Sequence, residues 1–154
     1  MYIFNALLSV PRALEDIRHD NGGGEALFIG RVRRISEGKE IRHLFYECEI
    51  GMAEKMIARI AQEMQAKWPI KKVHFQHRIG KLEVGEIAVI VAVSAEHRSE
   101  ALEACRYGID ELKRRVPIWK KEVSTTGEEW VGACGHEGSH GDKSFFNAEG
   151  AEKK

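Results

Sequence analysis

Lys113, Arg114, Arg115, Lys120 and Lys121 place five cations within nine residues of a chain whose 24 Lys and Arg balance 24 Asp and Glu. Pro117 stands inside the run. Proline has no N–H to give and its ring clashes with the preceding turn, so a helix through Leu112 is expected to stop near Val116. Lys113 then falls on the last helical turn and Lys120 on an extended segment just beyond. Two ammonium groups on different elements around a rigid corner can converge on one anionic or carbonyl-bearing ligand. The plainer alternative is a solvated run whose helical members only complement the helix dipole.

Three other groups could bind anions or metals. Arg31-Val32-Arg33-Arg34 ends an apolar strand pattern, and guanidinium forks match phosphate and carboxylate oxygens. His97-Arg98 opens a helix, whose N-terminal N–H groups already favour anions. Cys134, His136 and His140 have metal-ligand chemistry, but Cys-x-His-x3-His supplies three ligands, with no evident fourth; no metal site is expected there. His77-Arg78 reads as structural. No GxGxxG, Walker loop, serine elbow or paired-carboxylate signal occurs in the chain.

At 154 residues, with 43% apolar and 31% charged residues, the chain fits one soluble domain with one sizeable core. Zero net charge disfavours nucleic acid as a partner. Three cysteines without a CxxC pair indicate neither a disulfide framework nor a zinc ribbon and favour the cytoplasm. No stretch approaches the ~20 apolar residues of a membrane span.

The elements that must position these residues follow from periodicity. Val10 to Arg18 reads as a short helix, Glu25 to Arg33 as a strand, Ser36 to Glu40 as a loop and His43 to Glu49 as a second strand. Met52 to Lys67 is a helix, with Met52, Met56, Ile60 and Met64 as its expected core stripe. Lys72 to Arg78 alternates as a strand, Gly80 to Gly85 is a turn-rich link, and Glu86 to Ser94 is a buried strand. A helix from about Arg98 to Arg115 turns Ala101, Cys105, Ile109 and Leu112 inward, which makes Cys105 a core residue. Val123 to Val131 forms a last strand. The order α-β-β-α-β-β-α-β predicts an α+β fold, helices packed on one face of a mainly antiparallel sheet. Residues 1–131 form the single domain, and 132–154 a polar, Gly-rich tail.

Several pieces, in order, resemble the large, catalytic subunit of molybdopterin synthase. They are Phe28-Ile29-Gly30-Arg31-Val32-Arg33; Tyr46-Glu47 with Gly51-Met52-Ala53; Trp68-Pro69; His77-Arg78-Ile79-Gly80-Lys81-Leu82 with Gly85-Glu86; Ser94-Ala95-Glu96-His97-Arg98; Asp110-Glu111-Leu112-Lys113; Val116-Pro117-Ile118-Trp119-Lys120-Lys121-Glu122; and Trp130-Val131. The Asn often found in the loop after the first Arg cluster is missing from Arg34-Ile35-Ser36-Glu37-Gly38, and Ile50 replaces an aromatic residue.

The resemblance implies an α/β hammerhead-like fold and a homodimer, each protomer of which binds a small ubiquitin-like sulfur carrier to give a heterotetramer. The carrier's C-terminal Gly-Gly thiocarboxylate would deliver two sulfurs to cyclic pyranopterin monophosphate, making the dithiolene of molybdopterin. Lys113 and Lys120 would be catalytic. Arg31, Val32, Arg33, His97, Arg98, Lys121 and Glu122 would join them in binding substrate, with no cofactor. Two anionic reactants need clustered cations, and a crowded lysine can serve as proton donor or acceptor near neutral pH. The competing expectation is a non-catalytic α+β module that docks an acidic peptide tail.

Overall fold

The computed structural model describes residues 1–133. In chain order its elements are β1 (Ile3–Phe4), α1 (Val10–Ile17), β2 (Gly24–Arg31), β3 (Ile35–Ser36), β4 (Lys39–Cys48), α2 (Ile50–Lys67), β5 (Ile70–Arg78), β6 (Gly80–Glu83), β7 (Ile87–Ala95), α3 (Arg98–Arg115), β8 (Ile118–Ser124) and β9 (Gly127–Ala133). One sheet has the order β1-β5-β7-β2; a second runs β3-β4-β8-β9, with β6 also paired to β4. All pairings are antiparallel except β1 with β5. The fold is α+β, as expected.

Strand β7 sets the layering. Alternate side chains of a strand point to opposite faces. Val89, Val91, Val93 and Ala95 join the main core with Ile57, Ile60 and Met64 of α2 and Ala101, Ala104 and Leu112 of α3. Ile90 and Ala92 pack instead with Ala13 and Ile17 of α1. Helices therefore cover both faces of the first sheet, not one face. With both faces covered, β7 is apolar without a break from Ile87 to Val93. The second sheet extends the main core through Leu44, Tyr46, Leu82 and Ile118.

Helix limits follow local chemistry. Ser9 caps α1, its hydroxyl accepting from the Arg12 N–H at 3.1 Å, with Pro11 in the first turn. Helix α2 ends at Lys67, before Trp68-Pro69, and α3 ends at Arg115, with Val116 as its C-cap before Pro117. The core stripe of α2 is displaced: its buried residues are Ala53, Ile57, Ile60 and Met64, while Met52 is 56% exposed. A strict four-residue repeat drifts about 40° per step on a 3.6-residue helix, so Met52 leaves the face that Met64 occupies.

The strands depart from expectation at four places. Ile3–Phe4 adds a short parallel edge strand. Residues 36–40, expected as a loop, form with Ile35 a hairpin tip in which Glu37 and Gly38 take φ of 50° and 79°; two successive positive-φ residues give a turn of type I′ hand, matched to strand twist. Gly80–Glu83, expected as a link, is strand β6. Its Gly80 has φ +92°, and a Cβ there would lie 2.5 Å from Asn5 Oδ1, so only glycine fits without strain. The expected last strand is two, β8 and β9, turned at Thr125-Thr126. Strand β9 runs to Ala133, past the expected domain end at residue 131. Cys134, His136, His140 and the rest of the tail lie outside the described residues.

Candidate active site

Arg31 at the end of β2, Val32 and Arg33 just beyond it, Lys113 from α3, and Lys120 and Glu122 from β8 line one pocket of about 210 Å³. Ser36 of β3 and Ile41, Leu44 and Tyr46 of β4 complete its wall. The register explains the grouping. Tyr46 pairs with Lys120 and Leu44 with Glu122 across the β4–β8 ladder, so the four side chains share one face.

The end of α3 sorts its three cations. Arg114 turns to Glu111. Arg115 holds Glu63 of α2 with two N–H donors, at 2.7 and 2.9 Å, and reaches Glu111 at 3.0 Å. The Arg115 guanidinium, helped by the Tyr107 hydroxyl, pulls the Glu63 carboxyl down to about 2. Lys113 instead reaches the pocket. The charge run thus divides into a clamp between α2 and α3 and one lysine turned to the site.

Four cations and one carboxylate face the pocket, an excess of positive charge in a chain that is neutral overall. Lys120 Nζ lies 3.9 Å from Glu122 Oε2, and that oxygen also accepts the Ser36 hydroxyl at 2.9 Å. Arg31 donates to the Gly85 carbonyl at 2.7 Å, which ties the end of β2 to the β6–β7 turn. Behind the wall, Tyr46 meets His77 edge-to-face at 5.2 Å between ring centroids. Burial, with the Lys113 charge adding to it, pushes His77 down to about 4. Its Nδ1–H donates to the Arg78 carbonyl at 2.9 Å. Cys105 lies in the core, its thiol pushed up to about 11 by burial and directed to the Val91 carbonyl at 3.6 Å.

Three expected site residues are not brought to this pocket within the protomer. Lys121 is on the opposite face of β8, its ammonium 5.0 Å from the Phe45 ring centroid, 5.7 Å from that of Trp130 and 3.5 Å from Glu128. Within the regular strand, successive side chains point to opposite faces, so Lys120 on the inner face puts Lys121 on the outer one. His97 and Arg98 stand at the other end of β2: Gly24 pairs with Ala95, whereas Arg31 pairs with Ile87. Seven strand steps separate the two ends by about 23 Å. Gly24 lets the start of α3 approach closely, since a Cβ there would lie 3.1 Å from Arg98 N and Cα.

Sequence reasoning missed Ser36, Ile41, Leu44 and Tyr46 as pocket residues. The alternation of the second strand could have placed Leu44 and Tyr46 on one face; nothing in the pattern marked Ser36. Among the described residues no cluster of His, Cys, Asp and Glu could hold a metal, and no helix is long and apolar enough to cross a membrane.

The family model described as MoaE protein matches residues 4–115. A molybdopterin synthase catalytic subunit from Halalkalibacterium halodurans is 45% identical over 123 residues, covering 80% of this chain and 79% of that one. A crystal structure of molybdopterin synthase from Staphylococcus aureus superposes with a TM-score of 0.82 at 38% identity, over 85% of this chain and 96% of that one. A complex of subunits 1 and 2 of the molybdopterin-converting factor from Helicobacter pylori shares the fold, with a TM-score of 0.70 at 19% identity over 84% and 88%. The chain belongs to the MoaE protein family.

Proposed function

We propose that this protein is the catalytic subunit of a molybdopterin synthase, a sulfurtransferase. In this reading it takes two sulfurs from the C-terminal thiocarboxylate of a small ubiquitin-like carrier and adds them to cyclic pyranopterin monophosphate, forming the dithiolene. The observation that carries it is the convergence of Arg31, Arg33, Lys113 and Lys120 on one pocket beside Glu122. Both reactants are anionic, and fixed cations stabilise the negative charge that develops when a thiocarboxylate sulfur is transferred. Arg31 and Arg33 at the mouth suit the phosphate. Lys113 and Lys120 suit the reacting end, where an ammonium can hold charge or give up a proton. Glu122 orients Lys120 through their ion pair. A cytoplasmic setting fits the free thiols of Cys48 and Cys105.

The pocket is smaller than the ~300–1,000 Å³ usual for ligand sites, and a second protomer supplies what is missing. Strand β2 is an edge strand with Leu27 and Phe28, 38% and 37% exposed, at its centre. A two-fold axis through that centre pairs two β2 strands antiparallel. It brings the partner's His97 and the partner's Arg98 beside Arg31, so that one site draws on both chains. The homodimer, with one carrier per protomer, makes the heterotetramer.

Incubation with a thiocarboxylated carrier and the phosphorylated precursor tests the function. Dithiolene product supports it; carrier binding without product leaves only the peptide-docking module.

A further inference from the structure

The hairpin between Arg34 and Ile41 reaches the site through one buried contact. The turn at Glu37-Gly38 and the Ile41 N–H to Arg34 carbonyl bond of 2.7 Å fix the tip. Lys39 binds Glu129 of β9 from the same tip. The tip turns Ser36 inward, where it is 7% exposed, and its hydroxyl donates to Glu122 Oε2 at 2.9 Å. An ionised carboxylate only accepts, so the direction of this bond is set. Glu122 is itself 9% exposed, and the same Oε2 faces Lys120 Nζ at 3.9 Å.

We propose that Ser36 is a positioning residue for sulfur transfer, holding Glu122 so that Glu122 in turn holds Lys120 toward the reacting end of the pocket. The inference rests on the function proposed above. A carboxylate this buried has few acceptable orientations, and the hydroxyl selects one of them. Without it the Glu122–Lys120 pair can close on itself or turn away, and Lys120 loses its aim. Arg31 and Arg33 approach the pocket from β2 and make no bond to Ser36 that the reaction would lose with it. The effect therefore falls on turnover rather than on capture of the phosphorylated precursor. The chemistry also accounts for a hydroxyl residue in a hairpin tip that otherwise presents Arg34, Ile35, Glu37 and Gly38 to solvent.

The test compares Ser36→Val with Ser36→Thr, side chains of nearly equal size that differ by the hydroxyl, after thermal melts show both folded; Ser36→Ala repeats the loss without added bulk. Ser36→Val is expected to lower kcat about tenfold or more, the scale of a lost hydrogen bond to a charged group. Its KM for the phosphorylated precursor should stay within about twofold, and Ser36→Thr should keep kcat within about threefold of wild type. Equal kcat in the Val and Thr variants, or a loss confined to KM, overturns the role of Ser36 while leaving the function standing. A wild-type protein that makes no product overturns both.

Discussion

Tyr46 and Lys120 are cross-strand partners on β4 and β8, and both face the pocket that Lys113 enters from the last turn of α3. The ladder fixes Lys120 on the inner face and leaves its neighbour Lys121 outside. The helix stop at Pro117 brings Lys113 to the same place from another direction. Two lysines seven residues apart thus share one pocket because a strand register and a proline each permit one arrangement.

Anion recognition is the first consequence. Loss of a charge-assisted contact costs about 1.5–3 kcal/mol. Arg33→Ala and Arg98→Ala should each weaken binding of the phosphorylated precursor by roughly 10- to 150-fold. Calorimetric titration measures this, and unchanged affinity in both variants places the phosphate elsewhere.

A site shared between two protomers, as proposed, makes a sharper prediction. At precursor concentrations well below saturation, Lys113→Ala and Arg98→Ala homodimers are each expected to retain only a small fraction of wild-type activity. In a mixed dimer, one of the two sites receives Lys113 from one chain and Arg98 from the partner and is intact. Random reassembly should restore about a quarter of wild-type activity. No recovery, with mixed dimers verified by mass, would mean that His97 and Arg98 do not serve the neighbour's pocket.

Buried His77 gives the protein an acid liability. Its proton affinity is lowered from 6.5 to about 4, chiefly by burial. The unfolded chain therefore takes up a proton between pH 6.5 and 4 that the folded protein refuses, and stability falls as pH falls through that window. The loss is roughly 3 kcal/mol from this group. Urea unfolding at pH 7 and pH 4 should show a smaller pH difference in His77→Phe than in wild type. Equal differences would show that another group carries the effect.

Strand β9 ends the described fold at Ala133, and the residues beyond it are expected to be dispensable. A chain cut after Ala133 should remain a dimer in light scattering and form product in the presence of a chelator. Loss of the dimer, or chelator-sensitive activity in the full-length chain, would give Cys134, His136 and His140 a role.

The legible parts of the sequence were those where pattern and burial agree. The apolar run of β7 and the proline stop of α3 mark a central strand and a helix end without ambiguity. Strand β8 was harder because its inner face carries Lys120 and Glu122, so the expected alternation of apolar and polar residues is absent where the site lies. Strand β6 has one buried side chain, Leu82, too few to show a period. Ser36 was hidden because a lone serine in a short polar segment has no periodicity; its partner is 86 positions away. His97 and Arg98 were legible as the pair that opens α3, but their distance from Arg31 follows only from the β2–β7 register.

Lys113 and Lys120 are proposed to carry out sulfur transfer in one pocket. The most direct test is the single-turnover rate of dithiolene formation, with thiocarboxylated carrier and phosphorylated precursor supplied to wild type, Lys113→Ala and Lys120→Ala. Each variant is expected to fold as wild type does, since neither lysine is in the core, and to react about 10²-fold more slowly or worse. Wild-type rates in both variants would show that neither lysine takes part in sulfur transfer.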